Sequence, residues 1–136
     1  SFDLAVTRFS GKRAPLHPGG IPNLPNAVTR EAYSHEVSSA GFWPGGGGIE
    51  EQCFYSYAYP APDGFDAQKV MPEAARFDSG LGEFVLPYEA VRTAADPRGA
   101  LLDFLHSTFR AASSLGHWDE GLVCEIGRKG VPRQVG

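Results

Sequence analysis

The segment DPRGALLDFLHSTFRAASSLG, residues 96–116, is the strongest structural signal in the chain. Asp96 can cap a helix, Pro97 suits its first turn, and Gly116 can end it. Apolar residues recur in this segment at helical spacing: Leu101, Leu105, Phe109, Ala112 and Leu115, flanked by Leu102, Phe104 and Thr108. Each large member contributes roughly 1.5–3 kcal/mol when fully buried, so the helix needs an apolar surface to cover. We predict one long C-terminal helix lying on the face of a β-sheet.

Three earlier segments supply that sheet, because their side chains alternate with the period of two of half-buried strands. The predicted strands are residues 2–9, 30–43 and 52–60. The groups predicted to share a face are Phe2, Leu4 and Val6 in the first strand, Tyr33, His35, Val37 and Ser39 in the second, and Cys53, Tyr55, Tyr57 and Tyr59 in the third. Pro- and Gly-rich loops are predicted over residues 10–26 and 61–73.

A change of period follows the strands. Residues 74–87 resemble a short hairpin that turns at Ser79 and Gly80, and residues 87–95 resemble a short helix that begins with a proline. Strands followed by helices are typical of the α+β class. The predicted architecture is therefore an antiparallel β-sheet of three long strands plus a short hairpin, with one long C-terminal helix packed on one face.

Length and composition limit the classes of function. The chain has 136 residues, which is enough for one domain with its own core. We expect a single α+β domain over residues 1–120 and a loosely ordered tail over residues 121–136. The net charge of −4 argues against nucleic-acid binding, which requires a positive surface.

The location is predicted from the same composition. No apolar run is long enough to span a membrane, and no leader segment precedes the first strand pattern. Cys53 and Cys124 form no CxxC pair and are interpreted as reduced thiols. We therefore expect a cytoplasmic protein without a membrane partner, and the start of the chain at a strand indicates a fragment.

The glycine run at residues 44–48, PGGGG, invites comparison with a phosphate-binding loop. A P-loop needs a lysine and a hydroxyl residue after its glycines, whereas Ile49, Glu50 and Glu51 follow here. Two carboxylates would repel a phosphate. The run is interpreted as a flexible connection between strands, or as a flap whose Phe42 and Trp43 cover a pocket.

Metal ions and cofactors are not indicated. The histidines, Cys53 and the nearby carboxylates lack ligand spacings such as HExxH or CxxC. His35 and Glu36 are adjacent on a predicted strand, so their side chains point to opposite faces. The sequence predicts no metal site and no cofactor.

The aromatic residues of the second and third strands form the candidate ligand-binding set: Tyr33, His35, Phe42, Trp43, Tyr55 and Tyr57. A concave aromatic wall of this kind suits a small organic ligand. The same residues are also typical of a core or of an assembly interface, because Tyr and Trp dominate interface cores. The preferred hypothesis is a binding or structural module, and both roles stay open.

An enzyme is the alternative, acting on a small organic substrate with His35, Glu36 or Cys53 beside the Trp43 glycine loop. Convergence of His35 with the pair Glu50 and Glu51 in a cleft would favour it. Burial of Tyr33, His35 and Tyr57 under the long helix would instead favour a structural role.

Several segments together resemble a bacterial family of uncharacterised proteins, domain of unknown function 5996. They are SFDLAVTRFSGKRAP (1–15), REAYSHEVSSAGFWPGG (30–46), FYSYAYPAPDGF (54–65) and GEFVLPYEAVRTAADPRGALLDFLHSTF (82–109). The resemblance covers roughly residues 1–120 and implies the C-terminal half of a longer protein built from two similar α+β units. It implies no activity, cofactor or catalytic residue. The missing half would leave an apolar strand face uncovered, so we expect the chain to form a homodimer.

Overall fold

The computed structural model describes residues 4–46, 49–119 and 121. The elements follow the order β1 (Leu4–Arg13), α1 (Asn26–Ala32), β2 (His35–Trp43), β3 (Cys53–Tyr59), a 3-10 turn (Phe65–Ala67), β4 (Arg76–Asp78), β5 (Glu83–Pro87), α2 (Tyr88–Arg92) and α3 (Pro97–Leu115). The strands form one sheet in the order β1-β2-β3-β5-β4, and every pairing is antiparallel. The α+β architecture predicted from the sequence is confirmed.

Helix α3 forms as its sequence predicts. The Asp96 carboxylate accepts a hydrogen bond from the Gly99 amide at 3.0 Å, Pro97 occupies the first turn, and Gly116 is the C-cap. This arrangement satisfies one of the amide groups that a helix start leaves without an internal partner. The helix is therefore bounded at both ends by the residues expected to bound it.

The core lies between α3 and the β3–β5 part of the sheet. Phe104, Leu86 and Phe84 are almost fully buried there, together with Phe65 from the 3-10 turn. Thr108 is also fully buried, and its hydroxyl donates to the Phe104 carbonyl oxygen at 2.8 Å. The most buried side of α3 is therefore rotated from the predicted apolar stripe, because Phe104 and Thr108, which were predicted to flank the stripe, are its most buried residues. Leu101, Leu105 and Leu115 are half-buried.

The segment between β1 and β2 differs from the prediction. Residues 10–26 were expected to be a loop and residues 30–43 a strand, but β1 continues to Arg13 and α1 occupies Asn26–Ala32. A helix of seven residues presents too little periodicity to outweigh the alternation that follows it. Thr29 anchors α1 by complete burial, and β2 begins only at His35.

Strand β1 forms one edge of the sheet and is largely exposed on the helix side. Leu4 and Val6 share that side, as predicted, yet they are 72% and 62% exposed. The register of β1 against β2 shifts between Phe9 and Arg13. Phe2 lies outside the described residues, as does the predicted tail except for Gly121.

Two contacts join β1 to the C-terminal end of α3. The Arg8 guanidinium lies 4.1 Å from the ring centre of Phe109, a cation–π geometry. Further along, Lys12 Nζ donates to the His117 carbonyl oxygen at 2.8 Å. The edge strand and the helix are therefore linked at this end.

The two faces of the sheet have different covers. Phe54 and Ser56 face α3, so strand alternation places Tyr55 and Tyr57 on the opposite face. The tyrosine-bearing face is the one turned away from α3, and we name it the open face.

Among the described residues, none of the helices combines the length and apolarity needed to cross a bilayer.

Candidate functional site

The predicted ligand-binding residues occupy three separate places. Trp43, Tyr55 and Tyr57 line a cleft on the open face of the sheet. Phe42, the neighbour of Trp43, points to the α3 side because successive strand residues alternate. Tyr33 and His35 lie at the other end of β2. The structure therefore brings together half of the predicted set.

The cleft on the open face has a volume of about 350 Å³. Its lining joins three segments: β2 and β3 with Trp43, Tyr55 and Tyr57, the β2–β3 connection with Gly46 and Ile49, and the β4–β5 hairpin with Leu81 and Glu83. Three of the seven lining residues are aromatic, and Glu83 is the one charged residue among them. Such a combination of apolar wall and one polar group is typical of small-molecule sites.

Gly46 and Ile49 of the β2–β3 connection form one side of the cleft. The Gly46 amide donates to the Ile49 carbonyl oxygen at 2.7 Å, and Trp43 Nε1 donates to the same oxygen at 3.4 Å. Gly45 and Gly46 have φ angles of 99° and 102°, which favour glycine. A side chain at Gly45 would also place its Cβ 2.7 Å from the Glu50 carbonyl oxygen. This part of the glycine run is thus required by the turn that positions Trp43.

Tyr55 lies flat across the neighbouring strand because that strand has no side chain opposite it. Gly41 of β2 pairs with Tyr55, and a Cβ at Gly41 would lie 2.6 Å from the Tyr55 hydroxyl. The same Cβ would also meet the Leu4 carbonyl oxygen of β1. Tyr55 is consequently buried, and it forms the fixed floor of the cleft.

Glu83 is the charged cleft residue that the sequence analysis missed, and Leu81 of the same hairpin was missed as well. Tyr55 pairs with Val85 and Ser56 with Phe84, and continuing this register places Glu83 opposite Tyr57. Burial, and then the nearby Asp78 carboxylate, raise the pKa of Glu83 above its ordinary value. The sequence did predict the hairpin that contains Glu83. It did not predict which strand lies beside that hairpin or in which register, and both are needed to place Glu83 opposite Tyr57.

Tyr33 belongs to a different aromatic group. Its ring stacks on His17 with centroids 5.1 Å apart and lies 4.7 Å from the ring of Tyr59. His35 Nδ1 lies 2.8 Å from the Ser34 hydroxyl, within hydrogen-bonding distance. These contacts pack the start of β2 against the β1–α1 loop and form no part of the cleft.

Phe42 lies beside an apolar groove on the α3 side. Its ring contacts those of Phe54 and Tyr88, at centroid distances of 5.3 and 5.7 Å. The groove holds about 180 Å³ between β1 and α3 and is lined mainly by Leu4, Val6, Phe42, Leu101, Leu105 and Phe109. This apolar strip is the uncovered strand face that the sequence predicts.

The residues of the enzyme alternative do not converge. Cys53 pairs with Trp43, whereas His35 lies eight positions away along β2, which corresponds to roughly 26 Å of strand. Glu36 accepts a hydrogen bond from the Ser10 hydroxyl at 2.7 Å. Cys53 and His35 are therefore too far apart to act as a Cys–His pair.

The environment of Cys53 also disfavours a nucleophile. The side chain is buried, and burial followed by the Glu83 and Glu51 carboxylates raises the pKa of its thiol. A higher pKa lowers the fraction of reactive thiolate at neutral pH.

The convergence that would favour an enzyme is absent, because His35 is remote from Glu50 and Glu51. The burial that would favour a structural role is absent as well, because Tyr57 does not lie under α3. Across residues 4–46, 49–119 and 121, no three His, Cys, Asp or Glu side chains are grouped to hold a metal ion.

Comparison with known proteins identifies a family but no activity. No curated protein and no solved structure matches the chain. One family model does match, over residues 1–124, which is most of the chain. This match identifies the family, but it does not place the chain in the C-terminal half of a longer protein. The chain belongs to the family described as "Family of unknown function (DUF5996)".

Proposed function

We propose that the protein is a binding module whose small organic ligand occupies the cleft formed by Trp43, Tyr55, Tyr57 and Glu83, which we name the aromatic cleft. The observation that carries this proposal is the volume of about 350 Å³ bounded by three aromatic side chains. Pockets for small ligands begin at roughly 300 Å³. The groove on the α3 side, at about 180 Å³, is below that size.

The way the cleft is built supports binding with little rearrangement. Tyr55 is held over Gly41, and Trp43 is hydrogen-bonded to the β2–β3 connection. Side chains that are already ordered lose little conformational freedom when a ligand arrives. The aromatic wall is therefore available in the free protein.

A thermal-shift screen of small metabolites tests the proposal, followed by NMR titration of each hit. A ligand at a hundred times its Kd stabilises the folded state by about 2.7 kcal/mol, which raises the Tm by several degrees. Tyr57→Ala should abolish the shift, because Tyr57 is a half-buried wall of the cleft. Tyr33→Ala is the matched control, since Tyr33 lies in the separate group with His17 and Tyr59. A shift that survives Tyr57→Ala but disappears in Tyr33→Ala would move the site to the other end of β2.

A second role, self-association, is favoured by the groove between β1 and α3. Leu4 and Val6 are strongly exposed on an edge strand beside the apolar side chains of α3. Exposed edges and apolar patches of this kind associate, and a second copy offers the same surface for a symmetric contact. We infer a homodimer in which the groove of each copy faces the other.

Light scattering over a range of concentrations tests this homodimer. Val6→Lys places a charge in the groove and should shift the population to monomer. Ala5→Lys is its control, because Ala5 is exposed on the same strand but points to the opposite face. A wild-type protein that stays monomeric at high concentration contradicts the proposal.

A bacterial origin and a cytoplasmic location are also proposed. The family resemblance supports the first, and Cys53, a free buried thiol, is compatible with the second. A survey of the genomes that encode the family tests the origin, and cell fractionation tests the location.

A further inference from the structure

Building on the proposed function, we propose that the ligand of the aromatic cleft carries a positive charge, as an alkylammonium or methylated ammonium group, held between Glu83 and the rings of Trp43 and Tyr57. The inference concerns the chemical class of the ligand and depends on the position of Glu83, the charges around it, and the geometry of the rings.

Glu83 presents a carboxylate to the cleft without a partner of its own. It is half-buried at the start of β5, opposite Tyr57. Within the part of the chain that the structure describes, no hydrogen bond or ion pair satisfies this carboxylate. A partly desolvated charge that lacks a partner gains free energy when a cation reaches it.

The residues near Glu83 make the local field negative. Asp78 lies close enough to raise the pKa of Glu83, and Glu51 acts in the same direction on the neighbouring Cys53 thiol. Arg76 is the cation of this group, and its guanidinium pairs with Asp78 at 3.7 Å. Arg76 therefore offsets Asp78, and the charge of Glu83 is left for a ligand.

The rings complete a surface that suits a cation. The rings of Tyr55 and Tyr57 are nearly parallel, with an angle of 16° and centroids 6.4 Å apart, and Trp43 lines the same cleft. The electron-rich faces of Trp and Tyr attract ammonium groups, and aromatic cages bind choline and methylated lysine. Cation–π attraction and ion pairing are thus both available at one position.

Other ligand classes fit this arrangement less well. A phosphate or carboxylate ligand would meet repulsion from Glu83. A neutral aromatic ligand would fill the cleft but remove water from the Glu83 carboxylate without replacing its hydrogen bonds. The positive class alone compensates for the charge that the cleft already contains.

The test compares two probes of the same shape that differ in charge. Choline carries a trimethylammonium group, and 3,3-dimethylbutan-1-ol replaces its nitrogen by carbon. We expect NMR titration of the whole chain to give a Kd for choline roughly tenfold lower than for the neutral alcohol, with shifts at Trp43 Nε1.

Substitutions then assign the difference to Glu83. Glu83→Gln should remove the preference, so that choline and the neutral alcohol bind with similar Kd, and unchanged NMR shifts of residues outside the cleft show that the variant remains folded. Glu31→Gln, which removes an exposed carboxylate on α1, should change neither value.

The outcomes separate this inference from the proposed function. Equal binding of both probes, or discrimination that survives Glu83→Gln, overturns the cationic class and leaves a ligand-binding cleft. Binding of anionic compounds with shifts at Trp43 does the same. If no cationic, neutral or anionic compound perturbs the cleft residues, the proposed function fails together with the inference.

Discussion

On the α3 side of the sheet, β3 and β5 are covered whereas β1 is open to solvent. Leu86 of β5 and Phe104 of α3 are 0% exposed, but Leu4 of β1 is 72% exposed. A helix is about 10–12 Å wide with its side chains, and neighbouring strands lie about 4.8 Å apart, so one helix covers two to three strands. Leu4 and Val6 give β1 the apolar residues of a covered strand. They are nevertheless exposed, because α3 is too narrow to reach this edge of the sheet.

The largest expected effect tests the covered region. Phe104→Ala should lower the free energy of unfolding by about 3–5 kcal/mol, because it removes a fully buried ring and leaves a cavity. Leu4→Ala should change it by less than about 0.5 kcal/mol when measured by chemical denaturation at low protein concentration. Similar values for the two variants would break the distinction between the regions.

A smaller effect is expected where the open face is tightly packed. Gly41→Ala should cost about 1–3 kcal/mol, because the added methyl group meets the Tyr55 hydroxyl and the Leu4 carbonyl oxygen. NMR shifts of Tyr55 should accompany the loss of stability. A stable Gly41→Ala protein with an unmoved Tyr55 would show that the floor of the cleft is not set by this contact.

The start of α3 should have a lesser influence. Asp96→Ala removes the acceptor of the Gly99 amide and should cost about 1 kcal/mol. Asp103→Ala removes an exposed carboxylate from the middle of the same helix and should be neutral or slightly stabilising. Thermal unfolding distinguishes the two, and equal effects would argue that the cap is unimportant for covering the sheet.

The smallest effect concerns the pH dependence of stability on the open face. The pKa of Glu83 is raised in the folded state, so folding holds its proton more tightly than the unfolded chain does. Its contribution to stability is present below the unfolded pKa and is lost as the pH rises through the folded pKa. Glu83→Gln should therefore flatten this part of the stability profile, as measured by unfolding between about pH 4 and pH 8. An unchanged slope would contradict the assigned shift.

The fold was predicted from the sequence where local signals were long or specific. The cap at Asp96, the stripe of α3 and the alternation of β3 were sufficient to predict an antiparallel sheet with a helix on one face. Helix α1 was missed because its seven residues provide fewer than two turns of pattern. Leu4 and Val6 were correctly assigned to one face, and their exposure follows the prediction of an uncovered strand.

The candidate site was only partly predictable. Phe42 and Trp43 were placed in one site although neighbouring strand residues point to opposite faces. Tyr33 was grouped with the strand by an alternation that begins only at His35. Glu83 required knowledge of which strand lies beside β3, and that pairing is a tertiary property. Side-chain direction along a strand can be inferred locally, whereas the meeting of strands cannot.

The hydrogen bond from Lys12 to the His117 carbonyl oxygen makes the two ends of the groove between β1 and α3 different from each other. Together with Arg8 above Phe109, it joins β1 to the region near the C-terminus of α3, whereas Leu4 at the other end is 72% exposed. In the proposed homodimer, each copy therefore contributes a groove with one end linked to α3, at Arg8 and Lys12, and one end without that link, at Leu4.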